Sequence, residues 1–259
     1  MRIFCLFGLF LGLLFSLGAQ PTGNMFLRVM MIESKFGRGT TFSIDVAGRE
    51  YWVTARHLLT GAKTKPYGAV AEKNVDLKIL NPGGSGEEWI PVKFTILQPS
   101  ADVDIVVLVP PKPILPGASK SPPSSGGLTL GGNCEFLGFA YGGGWRAKFP
   151  EGVFWLPYVK RSTVSGMDMD SRLWILDGIN NPGFSGGPVI VGTGDDLKIV
   201  AVISGYRMEP TEVIRGDPKV ATTPADTVNL NSGFILAYDI ELALDVIKAN
   251  PIGPVRPTN

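Results

Sequence analysis

The stretch Asn180-Asn181-Pro182-Gly183-Phe184-Ser185-Gly186-Gly187-Pro188-Val189 decides how this chain is read. It is a tight, glycine-bounded turn that presents one serine and then enters an apolar strand, Val189-Ile190-Val191. A serine hydroxyl is a weak nucleophile until a base removes its proton, and attack on a carbonyl needs N–H groups aimed at the oxyanion that forms. Gly183 has no Cβ and lets the backbone approach a substrate closely. The N–H groups of Gly183 and Ser185 are the natural oxyanion donors. The bland alternative is a glycine-rich hairpin with an incidental serine.

The base must come from elsewhere, and the search is short because the chain has one histidine. His57 ends the run Tyr51-Trp52-Val53-Thr54-Ala55-Arg56-His57, where an apolar strand leads into a turn. A lone histidine is more often a surface or core residue, but this one follows a strand preceded by Gly39-Thr40-Thr41-Phe42. The third member of such a set is a carboxylate that orients the imidazole and stabilises its protonated form. Ala101-Asp102-Val103-Asp104-Ile105-Val106-Val107-Leu108-Val109 supplies two candidates, each readable also as a plain turn residue. Asp104 touches the β-branched run and is preferred over Asp102.

These segments resemble the trypsin/chymotrypsin-like serine peptidases, and they come in that family's order, His57, Asp104, Ser185. The likeness is nearer to the disulfide-free bacterial members, including the protease domain of Deg-type proteins, than to animal digestive enzymes. It implies an all-β fold of two six-stranded antiparallel β-barrels with a short C-terminal helix. It also implies a serine endopeptidase that forms an acyl-enzyme, needs no cofactor, and acts on a peptide or protein substrate. The primary specificity pocket would have Ile179 as its floor and Ser204, Gly205, Tyr206 and Gly233 as its walls. With no carboxylate at Ile179, an apolar or small substrate residue is expected, unless Asp177 intrudes. Two positions depart from the digestive enzymes. Phe184 stands where they carry an Asp that pairs with a newly freed N-terminus, so that activation switch should be absent. Arg56 replaces a small residue beside the histidine, where its bulk is expected to affect only the edge of the cleft.

Residues 1–19 read as a signal peptide: Arg2 is a short positive region, Ile3 to Leu17 is mostly apolar, and Leu17-Gly18-Ala19 ends in small residues. The alternative is an uncleaved membrane anchor, although the apolar run is short for a span of about 20 residues. Either way the body of the protein is expected to be exported, secreted or periplasmic. Membrane contact is expected only if this segment stays attached.

The rest is long for an average domain and normal for an all-β unit with two barrels, with no length for an appended PDZ module. The 33 glycines and 21 prolines fit turn-rich β structure, because the 44% hydrophobic content argues against disorder. Net charge is +1 with no basic run, which gives no footprint for nucleic acid. Of two cysteines, Cys5 lies in the leader, and Cys134 sits in a strand pattern as a buried, inert thiol. Two cysteines and one histidine make no metal cluster.

The first barrel is expected over 20–109, with strands at Met25–Ile32, Thr40–Val46, Glu50–Thr54, Val75–Leu80, Trp89–Leu97 and the Asp104 run. Residues 110–127 form a proline-rich linker that should not join a sheet. The second barrel and helix take 128–259. Its strands begin in Leu128–Gly138 and include Phe154–Val159, Leu173–Leu176, Ile199–Tyr206 and Gly233–Ala237. A flexible Tyr141–Trp145 loop, a long polar loop over Met208–Asn231 and a helix Ile240–Ala249 capped by Asp239 complete it. A catalytically silent binding module and a serine esterase remain as alternative functions. Oligomeric state is not legible.

Overall fold

Ala47 and Gly48 both have positive φ (50° and 74°), the backbone of a two-residue hairpin turn. They join β2 (Gly37–Val46) to β3 (Arg49–Thr54), paired from Val46↔Arg49 to Thr41↔Thr54. Around this hairpin the computed structural model, which describes residues 23–81, 87–115, 123–149, 152–212 and 227–257, builds a closed antiparallel barrel. Its other strands are β1 (Val29–Ser34), β4 (Asn74–Leu80), β5 (Trp89–Leu97) and β6 (Val106–Val109), in the order β1-β2-β3-β6-β5-β4. The short helices α1 (Gly23–Arg28) and α2 (His57–Thr60) flank it.

A second closed barrel has the order β10-β11-β14-β13-β12-β7. These strands are β7 (Asn133–Gly138), β10 (Tyr158–Asp168), β11 (Leu173–Asp177), β12 (Pro188–Val191), β13 (Lys198–Glu212) and β14 (Thr227–Asp239). A separate ribbon, β8 (Trp145–Phe149) with β9 (Gly152–Leu156), lies outside it. Helix α3 (Glu241–Ala249) ends the regular structure. The chain is thus mostly β, with two closed six-stranded antiparallel barrels and one short C-terminal helix.

The strands that read as continuous apolar runs are those buried on both faces, because side chains alternate along a strand. On β3, Trp52 enters the first barrel's core, while Tyr51 and Val53 face the junction between barrels. On β6, Val106 and Leu108 point inward, and Val107 and Val109 point to the junction. The second barrel repeats this: Val189 and Ile203 fill its core, while Ile190, Ile199 and Val202 join the shared junction with Leu137 and Phe139. The site lies where these layers meet.

Several expectations need correction. Residues 25–28 are helical rather than the start of a strand; Met25 and Arg28 bury one face at a spacing of three, and β1 begins at Val29. Pro157 divides the Phe154–Val159 run into β9 and β10, since proline has no N–H for the ladder. The Leu128–Gly138 stretch becomes a strand only at Asn133. The Tyr141–Trp145 segment is a helical turn over Ala140–Gly142 that leads into β8. The two described ends of the polar Met208–Asn231 segment, 208–212 and 227–231, extend the ladder between β13 and β14, from Met208↔Asn231 to Glu212↔Thr227, and residues 213–226 lie outside the described residues. Within the linker, Pro123 bridges Ile199, so one residue does touch a strand. Helix α3 begins one residue later than expected, at Glu241, although the Asp239 carboxylate accepts the Glu241 N–H at 2.9 Å. The expected leader, and residues 116–122 of the linker, lie outside the described residues. Among the described residues no helix is long and apolar enough to cross a membrane.

Candidate active site

His57 sits at the start of α2, directly after β3, and its side chain is 14% exposed. Asp104 is fully buried just before β6, the strand that pairs with β3, so ladder register brings the two together. The Asp104 carboxylate accepts the His57 backbone N–H at 2.8 Å and contacts His57 Nδ1 at 2.7 Å. A carboxylate only accepts, so Nδ1 carries the hydrogen and Nε2 is left as the acceptor. The other candidate acid, Asp102, has an exposed side chain and contributes only a backbone carbonyl, which takes the Tyr238 hydroxyl at 3.0 Å.

Ser185 comes from the second barrel. Its hydroxyl donates to the Ser204 carbonyl at 3.1 Å. The Ser204 hydroxyl in turn donates to Asp104 Oδ2 at 2.6 Å. Ser204, expected only as a pocket wall, is therefore a buried hub between the serine and the acid. The structure brings His57 and Asp104 into direct contact and links Ser185 to them through Ser204. Ser185 Oγ makes no hydrogen bond to His57.

The turn before Ser185 is gripped from three sides. The Tyr141 N–H donates to the Pro182 carbonyl at 2.6 Å. In a trans peptide the following N–H points the opposite way, so the Gly183 amide faces away from Tyr141. The Thr40 hydroxyl donates to the Gly183 carbonyl at 2.7 Å and accepts the Phe139 N–H at 3.1 Å. The Thr40 N–H holds the Ser185 carbonyl at 2.9 Å. Among the described residues, the N–H groups of Gly183 and Ser185 are left without partners. Gly183 has φ +99°, and a Cβ there would lie 2.1 Å from the Phe139 carbonyl, so no larger residue fits.

Phe184 is fully buried beneath this turn, edge-on to Phe136 with ring centroids 5.2 Å apart. Lys160 Nζ lies 5.4 Å from the Phe184 ring centre, and burial lowers the Lys160 pKa. An apolar side chain thus anchors the serine turn from beneath.

Arg56 corrects the sequence reading. It is not at a cleft edge but fully buried, donating to the carbonyls of Ile105 (3.3 Å), Gly68 (3.0 Å) and Pro99 (2.8 Å). Burial lowers its pKa, and the charge of Asp104 opposes that shift. The guanidinium fixes the loops on both sides of the acid. Sequence reasoning misses Thr40 and Arg56 as site residues because their roles depend on contacts distant in sequence. The only signal for them is that both flank the motifs.

The expected pocket residues are less uniform. Ser204 is buried, and Gly205, Tyr206 and Gly233 are partly buried on β13 and β14. Ile179 is 63% exposed, so its side chain floors no pocket; the neighbouring Asn180, 1% exposed, turns inward instead. Asp177 is exposed, outward from Leu176 on β11. Cys134 is buried, and burial pushes its thiol up to about 12, which keeps it protonated and inert. Among the described residues no cluster of His, Cys, Asp or Glu could hold a metal.

No family model and no curated protein matches the sequence. Solved structures do. A thermostable serine protease, AL20, from an extremophilic microorganism aligns with TM-score 0.56 at 13% identity, over 89% of this chain and all of that one. The protease Anisep from Arthrobacter nicotinovorans aligns with TM-score 0.55 at 12% identity, over 90% and 97%. The HtrA-type protease AlgW, solved with a tripeptide, aligns with TM-score 0.51 at 16% identity, over 87% of this chain and 60% of that one. With its closed barrels and the site at their junction, this chain has the chymotrypsin-like double-barrel fold of the trypsin-like serine proteases, Deg/HtrA-type protease domains among them.

Proposed function

We propose that this chain is an exported serine endopeptidase that hydrolyses peptide bonds through Ser185, His57 and Asp104. The observation that carries the reading is the continuous link across the two barrels. Asp104 holds His57 at 2.7 Å, and Ser204 joins that same carboxylate to Ser185. His57 Nε2 takes the proton of Ser185 as Oγ attacks the carbonyl carbon. The amides of Gly183 and Ser185 receive the oxyanion, and His57 then protonates the leaving amine. Water repeats the cycle on the acyl-enzyme, with His57 again as base. Export rests on the leader at residues 1–19. Peptide or protein substrates are favoured by the fold shared with proteases.

One observation favours a second reading, a catalytically silent binding module: the Ser185 hydroxyl donates to Ser204, not to His57. Rotation of the Ser185 side chain about Cα–Cβ between staggered positions is a small, fast motion, so resting geometry does not bar catalysis.

Labelling the protein with a fluorophosphonate, with Ser185→Ala as control, separates the two. The peptidase reading expects modification at Ser185, and its absence would leave only the binding module. A serine esterase would label as well, so matched peptide and ester substrates must follow. Ser185→Ala and His57→Ala should each lower peptide turnover by several orders of magnitude, and the double variant should lose little more than either, because the residues act as a unit.

A further inference from the structure

The alternation of β10 puts a lysine where the second barrel's core expects an apolar side chain. Ser162 and Lys160 pair with Cys134 and Phe136 of β7, and paired residues share a face of the sheet. Cys134 and Phe136 lie in that core, as does Val164, two residues past Ser162. Lys160 therefore points inward at the end of the barrel, beneath the serine turn, with its Nζ 5.4 Å from the Phe184 ring centre. An inward ammonium is costly unless its hydrogen bonds are made. They are made to the segment before the serine: Nζ donates to the Ile179 carbonyl at 2.6 Å and to Asn181 Oδ1 at 2.5 Å.

Those two bonds belong to a continuous set, in which every carbonyl from Ile179 to Ser185 has a donor. Asn231 Nδ2 holds the Asn180 carbonyl at 2.8 Å, the Phe184 N–H holds that of Asn181 at 3.3 Å, and the Tyr141 N–H holds that of Pro182 at 2.6 Å. The Thr40 hydroxyl holds the Gly183 carbonyl, the Gly187 N–H holds that of Phe184 at 2.8 Å, and the Thr40 N–H holds that of Ser185. The amides of Gly183 and Ser185 are what this set leaves open. Lys160 is the one charged donor in it, and Asn181 relays its hold. Asn181 Nδ2 donates to the Tyr141 hydroxyl at 3.1 Å, and the Tyr141 N–H holds the peptide that carries the Gly183 amide.

We propose that Lys160 is a positioning residue: its ammonium holds the 179–181 backbone so that the Gly183 and Ser185 amides stay aimed at the oxyanion, and loss of its proton weakens that hold and lowers the rate. This rests on the peptidase reading. Hydrogen bonds from a charged donor are about twice as strong as neutral ones, so a neutral amine is the poorer support. Burial favours the neutral form, and no neighbouring charge among the described residues opposes it. Register places Arg161, Glu135 and Asp177 on the opposite face of the sheet. The titratable groups on the Lys160 side are Tyr158, on the same face of β10, and Tyr141, reached through Asn181. The charge is thus lost as pH rises, at a pH below the ordinary lysine range.

Steady-state kinetics on one peptide substrate, from neutral to alkaline pH, tests this. Lys160→Met should lower kcat at neutral pH by about tenfold, less than the loss of about 10²–10³ for a deleted oxyanion donor, with KM nearly unchanged. Wild-type kcat should fall by a similar factor as pH rises through the lysine's midpoint, and Lys160→Met should lack that fall. Lys160→Arg, whose charge does not titrate, should keep its rate across the same window. Tyr141→Phe and Tyr158→Phe should leave the fall at the same pH. A fall that moves with either tyrosine, or a Lys160→Met chain with wild-type kcat or the same alkaline fall, would overturn the inference and leave the peptidase reading intact. If Lys160→Met does not fold, the wild-type profile decides: a flat kcat at alkaline pH, where tryptophan fluorescence shows the chain still folded, would overturn the inference. Absence of both turnover and fluorophosphonate labelling would overturn it together with the peptidase reading.

Discussion

Two buried carboxylate clusters of the first barrel use the same chemistry to different ends. In one, Asp45 and Glu50 meet Arg28 and Arg256: Arg28 reaches Asp45 at 2.6 Å, and Arg256 reaches Asp45 at 2.6 Å and Glu50 at 2.8 Å. Glu50 also accepts from Trp52 Nε1 at 2.8 Å and from the Ile114 N–H at 2.9 Å. Two acids face two bases, and the cluster is closed. It ties the tail after α3 to the β2–β3 hairpin, where the Arg256 N–H holds the Gly48 carbonyl and the Glu50 N–H holds the Pro254 carbonyl, both at 3.0 Å. In the other cluster Asp104 is equally buried and meets His57 and Ser204, but the chain of bonds stops short. His57 keeps an exposed edge, and the Ser185 hydroxyl is held by a single 3.1 Å bond. Closure makes a scaffold; an arrangement with one acceptor left open makes a candidate for chemistry.

The largest effect should come from closing the wrong end of the open cluster. Asp104→Asn keeps the shape but presents an amide to His57, which favours the wrong tautomer. It should lower turnover by about 10⁴, or roughly 5.5 kcal/mol of barrier. Asp102→Asn should change it by less than about twofold, since only the Asp102 backbone is engaged. Steady-state kinetics on one peptide substrate measures both, and a large loss at Asp102 with little at Asp104 would reverse the assignment.

The closed cluster should respond in stability instead. Arg256→Met removes one cation from both Asp45 and Glu50 while Arg28 stays on Asp45. Taking one partner from a buried ion pair typically costs about 3–5 kcal/mol, and here the remaining donors place the loss near the lower end. Urea unfolding should show it as a lower midpoint with an unchanged slope. Turnover per folded molecule should stay within about twofold of wild type, because no residue of this cluster touches the site. A fall in turnover without a fall in stability would mean that the tail governs the cleft.

The two clusters also differ in how far the sequence reveals them. His57, Asp104 and Ser185 stand in short motifs whose residue types and order carry meaning, so the open cluster is legible from local sequence alone. The barrels are legible as well, because β3, β6 and β12 are buried on both faces and read as unbroken apolar runs. Arg28, Asp45, Glu50 and Arg256 belong to no motif. They meet only because β2 and β3 pair and the tail returns after more than 200 residues. Arg56 escapes a local reading for a related reason: its sequence neighbour is the histidine, but its partners are the carbonyls of Gly68, Pro99 and Ile105. Local pattern also fails where proline or long ladders intervene, at Pro157 and where Met208–Glu212 pairs with Thr227–Asn231. The inward position falls at Asn180, one residue past Ile179, because loop geometry, not strand alternation, decides which side chain turns inward before the serine.

The smallest effect lies between these extremes, at a residue that is scaffold by contact and close to the chemistry by position. Thr40 belongs to the first barrel, yet its hydroxyl holds the Gly183 carbonyl at 2.7 Å and accepts the Phe139 N–H at 3.1 Å. Thr40→Val keeps the shape and the backbone bond to Ser185 but removes both hydroxyl contacts. The freed Phe139 amide should cost about 1–3 kcal/mol of stability. The loosened 183–184 peptide should cost more than stability, since it joins the two residues whose neighbouring amides, Gly183 and Ser185, are the proposed oxyanion site. Losing an oxyanion donor outright costs about 10²–10³ in kcat, and loosening the peptide that links the two donors should cost about tenfold. The loss should fall on kcat with KM nearly unchanged, because the oxyanion forms after binding. Thr40→Ser, which restores a hydroxyl without the methyl, should recover most of the rate. If Thr40→Val lowers the unfolding midpoint while kcat stays at the wild-type value, the hydroxyl is scaffold alone, and the boundary between the two clusters runs through the serine turn itself rather than through Thr40.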